Sequence, residues 1–392
     1  MVEVRPDSMT ADPAPPGDAI AVTGMAWDTA LGSGLEDVWR LLLKGADGFR
    51  ELPSSGAVRN ALAAPLADGV PPGTLHEQHV TVAVATARRA LDHAGLTETA
   101  DVQGVFGTSL GPHADATTAG SLYRWAEDAG RLLGSARPPV AVSTACSASS
   151  DALSTAAVLL RAGLADRCVA GGVDLLSPAK RLGHSGMGVM SPTMLRPFDA
   201  ERDGTLPGEG AAFLVLERLD SARARGAHVH GFLRGWGMSN AATSLNGPDA
   251  SGVTGAQAAL RSLAMGGRSP AEVAVVSMHG TGTVSSDAAE AELLRRVFGH
   301  DAAAPVVVAT KGSLGHVLGA TGAIETIVTL LALRDRLAPP VAQLRAALAD
   351  FPLPLPVDEP MAVSGEFGLN LTLGVGGFNT SLLLQRGDRA LP

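Results

Sequence analysis

Strand-like and helix-like runs alternate along this chain, and the alternation happens twice. That rhythm restricts the fold more than any other feature. In the first half, residues 19–24 (AIAVTG), 102–107 (VQGVFG), 140–142, 168–175 and 211–217 are short apolar runs bounded by Gly, Pro or polar residues, as buried strands are. Residues 35–44, 80–94 and the stretch after Ala148 instead space their apolar residues for helices, with Trp39, Leu42 and Leu43 toward the core. The second half repeats the pattern. Strands are expected at 229–236, 273–278, 306–310, 369–373 and 381–385, and helices at 254–265, 287–298 and 317–333. This predicts an α/β chain of two βαβ-based halves with buried, mostly parallel sheets. The halves are taken as 19–230 and 231–392. Residues 1–18, rich in Pro, Asp and Ala, form an expected floppy tail.

Composition removes several function classes. Apolar residues make up 46% of the 392 and charged residues 18%, which supports a substantial core and argues against global disorder. Net charge is −9 with no Lys/Arg run, which disfavours a nucleic-acid or anionic-membrane surface. No uncharged apolar run approaches the roughly 20 residues of a spanning helix. The first residues lack a signal-peptide pattern, so a cytoplasmic protein is expected. Two cysteines are too few for a disulfide scaffold.

One of those cysteines sits at a junction. Residues 138–162 read PPVAVSTACSASSDALSTAAVLLRA, an apolar run ending at Ser143-Thr144-Ala145-Cys146 before an Ala/Leu-rich helical stretch. Cys146 thus falls on a strand-to-helix turn, where the positive helix end lowers a thiol pKa. Cys168, inside an apolar run, reads as a packing residue.

Three further features lie where second-half strands stop, the usual position for active-site groups in open α/β sheets. They are His279-Gly280-Thr281-Gly282-Thr283 with Asp287 and Glu290 downstream, Lys311-Gly312-Ser313-Leu314-Gly315-His316, and Gly374-Val375-Gly376-Gly377-Phe378-Asn379. Lys311 is one of only three lysines in the chain. Each feature alone has a structural explanation. His228 and His230 read as strand residues facing one way, since no third ligand cluster accompanies them.

Taken in order, T-A-C-S-A-S, R-P-F-D-x-x-R-D-G, G-E-G-A, H-G-T-G-T-x-x-x-D-x-x-E, K-x-x-x-G-H-x-x-G-A-x-G and G-x-G-G-x-N span Thr144 to Asn379. This set resembles the β-ketoacyl synthases of the thiolase superfamily. The resemblance implies a thiolase-like, duplicated five-layer α-β-α-β-α fold and a Cys-His-His triad falling on Cys146, His279 and His316. It implies no cofactor and no metal. The partner it implies is an acyl carrier protein bearing a phosphopantetheine thioester, met by a homodimer or by a heterodimer with a chain-length factor. Backbone N–H groups of Cys146 and Val375 would form the oxyanion hole. Two neutral imidazoles would stabilise the enolate left when a malonyl thioester loses CO2. Lys311 would act electrostatically, ordering His316 and the region of Glu325, with Asp287 and Glu290 as supports rather than acids or bases.

The departures concern the pocket. Val375 stands where the family commonly has a gating Phe, Phe378 where it has Thr, and Thr205 where an aromatic follows R-D-G. Ser143 replaces the Asp of modular synthases, which favours a discrete enzyme. Two readings follow. In one, a discrete enzyme extends a carrier-bound acyl chain by decarboxylative Claisen condensation in polyketide or fatty-acid-type biosynthesis. In the other, the Cys-bound chain undergoes intramolecular aldol or cyclisation-release chemistry, or acyl transfer, without malonyl decarboxylation. A non-catalytic chain-length factor is disfavoured by the presence of Cys146.

Overall fold

The computed structural model describes residues 19–54, 56–115, 120–242, 244–299 and 304–387. The expected tail at 1–18 lies outside the described residues. In the first half the order is β1 (Ile20–Asp28), α1 (Leu35–Leu42), α2 (Leu75–His93), β2 (Gln103–Gly107), α3 (Arg124–Leu133), β3 (Val140–Val142), α4 (Ala148–Arg161), β4 (Arg167–Asp174), α5 (Pro178–Gly186) and β5 (Gly210–Arg218). The second half runs β6 (Gly231–Asn240), α6 (Val253–Met265), β7 (Val273–Ser277), α7 (Val284–Phe298), β8 (Val306–Val308), α8 (Thr321–Asp335), β9 (Phe367–Gly374) and β10 (Phe378–Arg386).

Spatial order within each half is the same. The strands lie β3-β2-β4-β5-β1 and, in mirror sequence, β6-β10-β9-β7-β8, and a short antiparallel pairing of β1 with β6 (Ile20 opposite Leu233) joins them into ten strands. Only the outer pairings are parallel: β2 with β3 and β4, and β7 with β8 and β9. The other five pairings are antiparallel, which corrects the expectation of mostly parallel sheets. Hairpin geometry is one reason. β9 and β10 are joined by the short glycine loop, and a loop that short reverses the chain.

Side-chain alternation builds the layers. Val105, Cys168, Ala170 and Leu214 face a central cluster that also holds Leu153 and Leu160 of α4, Ile324 and Ile327 of α8, and Val275 and Leu382 from the other half. Their strand neighbours Phe106, Val169 and Phe213 face outward onto α2 and α3. Val276, Leu369 and Leu383 face α6 and α7. The result is α-β-α-β-α. Every residue from Thr321 to Leu333 of α8 is buried, because a helix between two sheets has no solvent face.

Element ends differ modestly from expectation. α2 starts at Leu75 rather than 80, because Thr74 accepts from the Glu77 N–H and Glu77 caps back in a capping box. α5 occupies a stretch in which no helix was expected. His228 and His230 precede β6 rather than lying in it, with rings 4.6 Å apart.

Candidate active site

Cys146 sits in a single 3-10 turn, Ala145–Ser147, between β3 and α4. Ala145 has φ 51°, a left-handed conformation that costs a non-glycine residue about 1 kcal/mol. The sharp turn sets Cys146 at the very start of α4. His279 directly follows the strand-end Met278 beyond β7, and Lys311 and His316 follow β8. The hairpin between β9 and β10 requires glycine at Gly376 (φ 90°) and Gly377 (φ 81°).

These segments converge on one cavity of about 630 Å³, lined by Cys146, His279, His316, Thr205, Val375 and Asn379 among others. Cys146 Sγ lies 3.2 Å from His316 Nε2, and the two imidazole rings are 5.2 Å apart, edge to face. The Leu318 N–H donates to His316 Nδ1 at 3.3 Å. Nε2 is therefore the protonated nitrogen, and it points its N–H at the sulfur. His279 Nδ1 is sealed in without a partner among the described residues, which leaves Nε2 as its cavity-side nitrogen. Burial, reinforced by the Lys311 charge, depresses both imidazoles well below the usual range, so both are neutral at pH 7.

Burial has the opposite effect on the thiol. It pushes Cys146 up to about 11, against the pull of Lys311 and of the Val375 and Cys146 backbone N–H groups aimed at the sulfur. This corrects the expectation of a thiol lowered by the helix start: desolvation outweighs the turn. Cys146, His279 and His316 bring one donor atom each within 4.8 Å of one another, the one group of this kind among the described residues.

The supporting residues surround this core. Lys311 Nζ is 2.7 Å from Glu325 Oε1, both groups being buried, and Thr310 also donates to that oxygen. Asp287 accepts from the N–H groups of Phe198 (2.7 Å) and Gly282 (3.0 Å), while both Glu290 oxygens accept from the Gly280 N–H. From α7 these carboxylates clamp the His279 loop. Burial pushes both upward.

Thr205 is buried against the cavity with Oγ1 sealed and unpaired among the described residues, and Val375 is 46% exposed at the cavity's edge. Phe378 does not line the cavity, against expectation. Along β10 successive side chains alternate, so Asn379 turns in and Phe378 turns out over Gly376. Sequence reading missed the α5 wall, where Lys180 and His184 face the cavity. Ser177-Pro178, an N-cap followed by proline in the first turn, was the available signal.

Comparison with known proteins gives the family. Residues 17–222 match the profile of the β-ketoacyl synthase N-terminal domain and residues 230–345 that of the C-terminal domain. A 3-oxoacyl-[acyl-carrier-protein] synthase 2 of Rhizobium meliloti (strain 1021) is 34% identical over 259 residues; the match spans 64% of this chain and 61% of the relative's length. A solved ishigamide ketosynthase/chain length factor superposes with TM-score 0.86 at 29% identity, covering 94% of this chain and 99% of the other. A β-ketoacyl synthase from Burkholderia phymatum STM815 gives 0.84 at 27%, covering 94% and 100%.

Proposed function

Since the chain belongs to the β-ketoacyl synthase family, we propose that it is a discrete condensing enzyme that carries an acyl chain on Cys146 and extends it by decarboxylative Claisen condensation. The observation that carries the reading is a single thiol sharing one cavity with two neutral imidazoles, 3.2 Å from the N–H of one of them.

In the first half-reaction Sγ bonds to the acyl carbonyl carbon as the carrier's C–S bond breaks, and the thiol proton passes to the departing pantetheine sulfur. The N–H groups of Cys146 and Val375 hold the oxyanion. In the second, a malonyl thioester loses CO2, and the electron pair of the broken C–C bond becomes an enolate held by His279 and His316 N–H donors. The enolate carbon then bonds to the acyl carbon, the C–S bond to Cys146 breaks with its electron pair on sulfur, and the thiolate takes a proton from solvent to regenerate the thiol. Lys311 and Glu325 keep the His316 segment ordered, and Asp287 and Glu290 do the same for His279.

The partner is an acyl carrier protein with a phosphopantetheine arm. The name of the Rhizobium relative supports this, and that of the ishigamide protein leaves a heterodimer with a chain-length factor beside the homodimer. The halves 19–230 and 231–392 would act as one unit, the first supplying the thiol and the second both histidines. Val375, leaving the cavity edge without an aromatic, favours the second reading: aldol, cyclisation-release or acyl-transfer chemistry of the bound chain. Intact-protein mass spectrometry with acyl carriers, combined with CO2 release from malonyl carrier, tests both. An acyl mass on Cys146 plus CO2 supports condensation. An acyl mass without CO2 selects the second reading, and no acyl mass overturns both.

A further inference from the structure

One wall of the cavity is α5, which turns Ala179, Lys180, Gly183 and His184 toward the cavity, followed by Met187 just past its end. A side chain at Gly183 would meet nothing within 4 Å, so the wall is open at its centre. Two polar groups stand there, and they differ in what they still need. Lys180 is turned inward: its Nζ spends two of its three donors on Asp174 Oδ1 at 2.5 Å and the Leu175 carbonyl at 2.9 Å. Asp174 in turn accepts from the Ser109 and Gly319 N–H groups and from Thr108 Oγ1. The charge of Lys180 is thus neutralised within the protein by a carboxylate that the backbone itself holds in place.

His184 is not satisfied. Its Nδ1 lies 2.7 Å from the Lys180 carbonyl oxygen, one helical turn back. A carbonyl only accepts, so Nδ1 carries the proton, and Nε2 of a neutral ring is a bare acceptor. Burial and the Lys180 charge keep the ring neutral. Among the described residues Nε2 has no protein partner, yet it is not one of the atoms sealed from solvent, so the cavity is what it meets. The ring stands edge to face with His316 at 6.5 Å, beside the reacting centre.

We propose that His184 is a specificity-determining residue whose Nε2 accepts a hydrogen bond from a hydroxyl on the acyl chain, so that the cavity selects hydroxylated over saturated chains. This rests on the reading that the cavity holds the acyl chain. A saturated chain would strip water from Nε2 and return no donor, whereas a hydroxyl replaces the lost bond, a difference of roughly ten- to a hundredfold in affinity.

The test is equilibrium binding of S-acyl-pantetheines to the Cys146→Ala protein, which removes chemistry from the measurement. A saturated eight-carbon chain is compared with the same chain hydroxylated at C3, C5 or C7. At least one hydroxylated chain should bind about tenfold or more tightly than the saturated one. His184→Phe in the same background should abolish or invert that preference, and His184→Gln, which retains an acceptor, should restore part of it. Lost packing alone would weaken all chains together and leave the ratio unchanged. An equal ratio with His and Phe at position 184, or no hydroxyl preference at all, overturns the proposal. Acyl loading of the wild type by the same thioesters, scored by mass, tests the Cys146 assignment separately.

Discussion

The thiol of Cys146 is the sharpest point at which sequence and structure give different chemistry, and alkylation rate against pH separates them. Burial pushes the group up to about 11. At pH 7 that leaves a thiolate fraction of about one in ten thousand. Only the thiolate reacts with iodoacetamide, so the rate should climb about tenfold per pH unit from 6.5 to 9.5 without levelling off. Lys311 is the foremost influence pulling the thiol down, so Lys311→Met should slow labelling roughly three- to tenfold at each pH in that window. Peptide mass spectrometry reads Cys146 and Cys168 in the same sample. Cys168, fully buried in the central layer and pushed to about 12, is the internal control and should label far more slowly. A plateau at or below pH 8, or a Lys311→Met rate equal to wild type, would refute the argument. The helix start would then outweigh burial, as the sequence suggested.

The Lys311–Glu325 pair gives a stability prediction with a definite sign. Lys311→Met leaves Glu325 buried without its cation, at about 3–5 kcal/mol, and Lys311→Met/Glu325→Leu should recover most of that in thermal unfolding. Glu325 is already raised above 4.5 by burial, so its favourable contribution is complete below 4.5 and fades as pH rises; the single variant's deficit should therefore be larger at pH 8 than at pH 5. His279→Ala and His316→Ala should still take an acyl mass on Cys146 yet lose malonyl decarboxylation by about a hundred- to a thousandfold in CO2 release. Full activity in either would exclude the two-imidazole enolate. Val375→Phe should narrow acyl loading toward linear chains while leaving Cys146 alkylation near wild type, because the backbone N–H at 375 survives; identical preferences in both proteins would remove Val375 as a selectivity element.

Most of the site was legible because its parts stand at strand ends, where apolar runs stop abruptly and the next residue is polar or glycine. Cys146, His279, Lys311 and Gly374 all follow such stops, and a strand end fixes position without long-range knowledge. Strand direction was less accessible. An apolar run reads the same in both directions, and only a short connection such as Gly374–Phe378 forces reversal. Phe378 and Asn379 show the same limit at the scale of one residue. A side-chain period of two sends neighbours to opposite faces, and which face holds the cavity depends on a pairing with β6 some 140 residues away. The wall at α5 was missed for a different reason. A nine-residue helix with two glycines and one large apolar residue, Leu182, has low helix propensity, and its importance lies in what it faces. The thiol illustrates the remaining gap: local sequence shows the helix start that lowers a pKa, while the desolvation that raises it comes from the distant segments that close over Cys146. Electrostatics in a buried site is a property of all the layers together, so residue types can be named from sequence while their protonation at rest cannot.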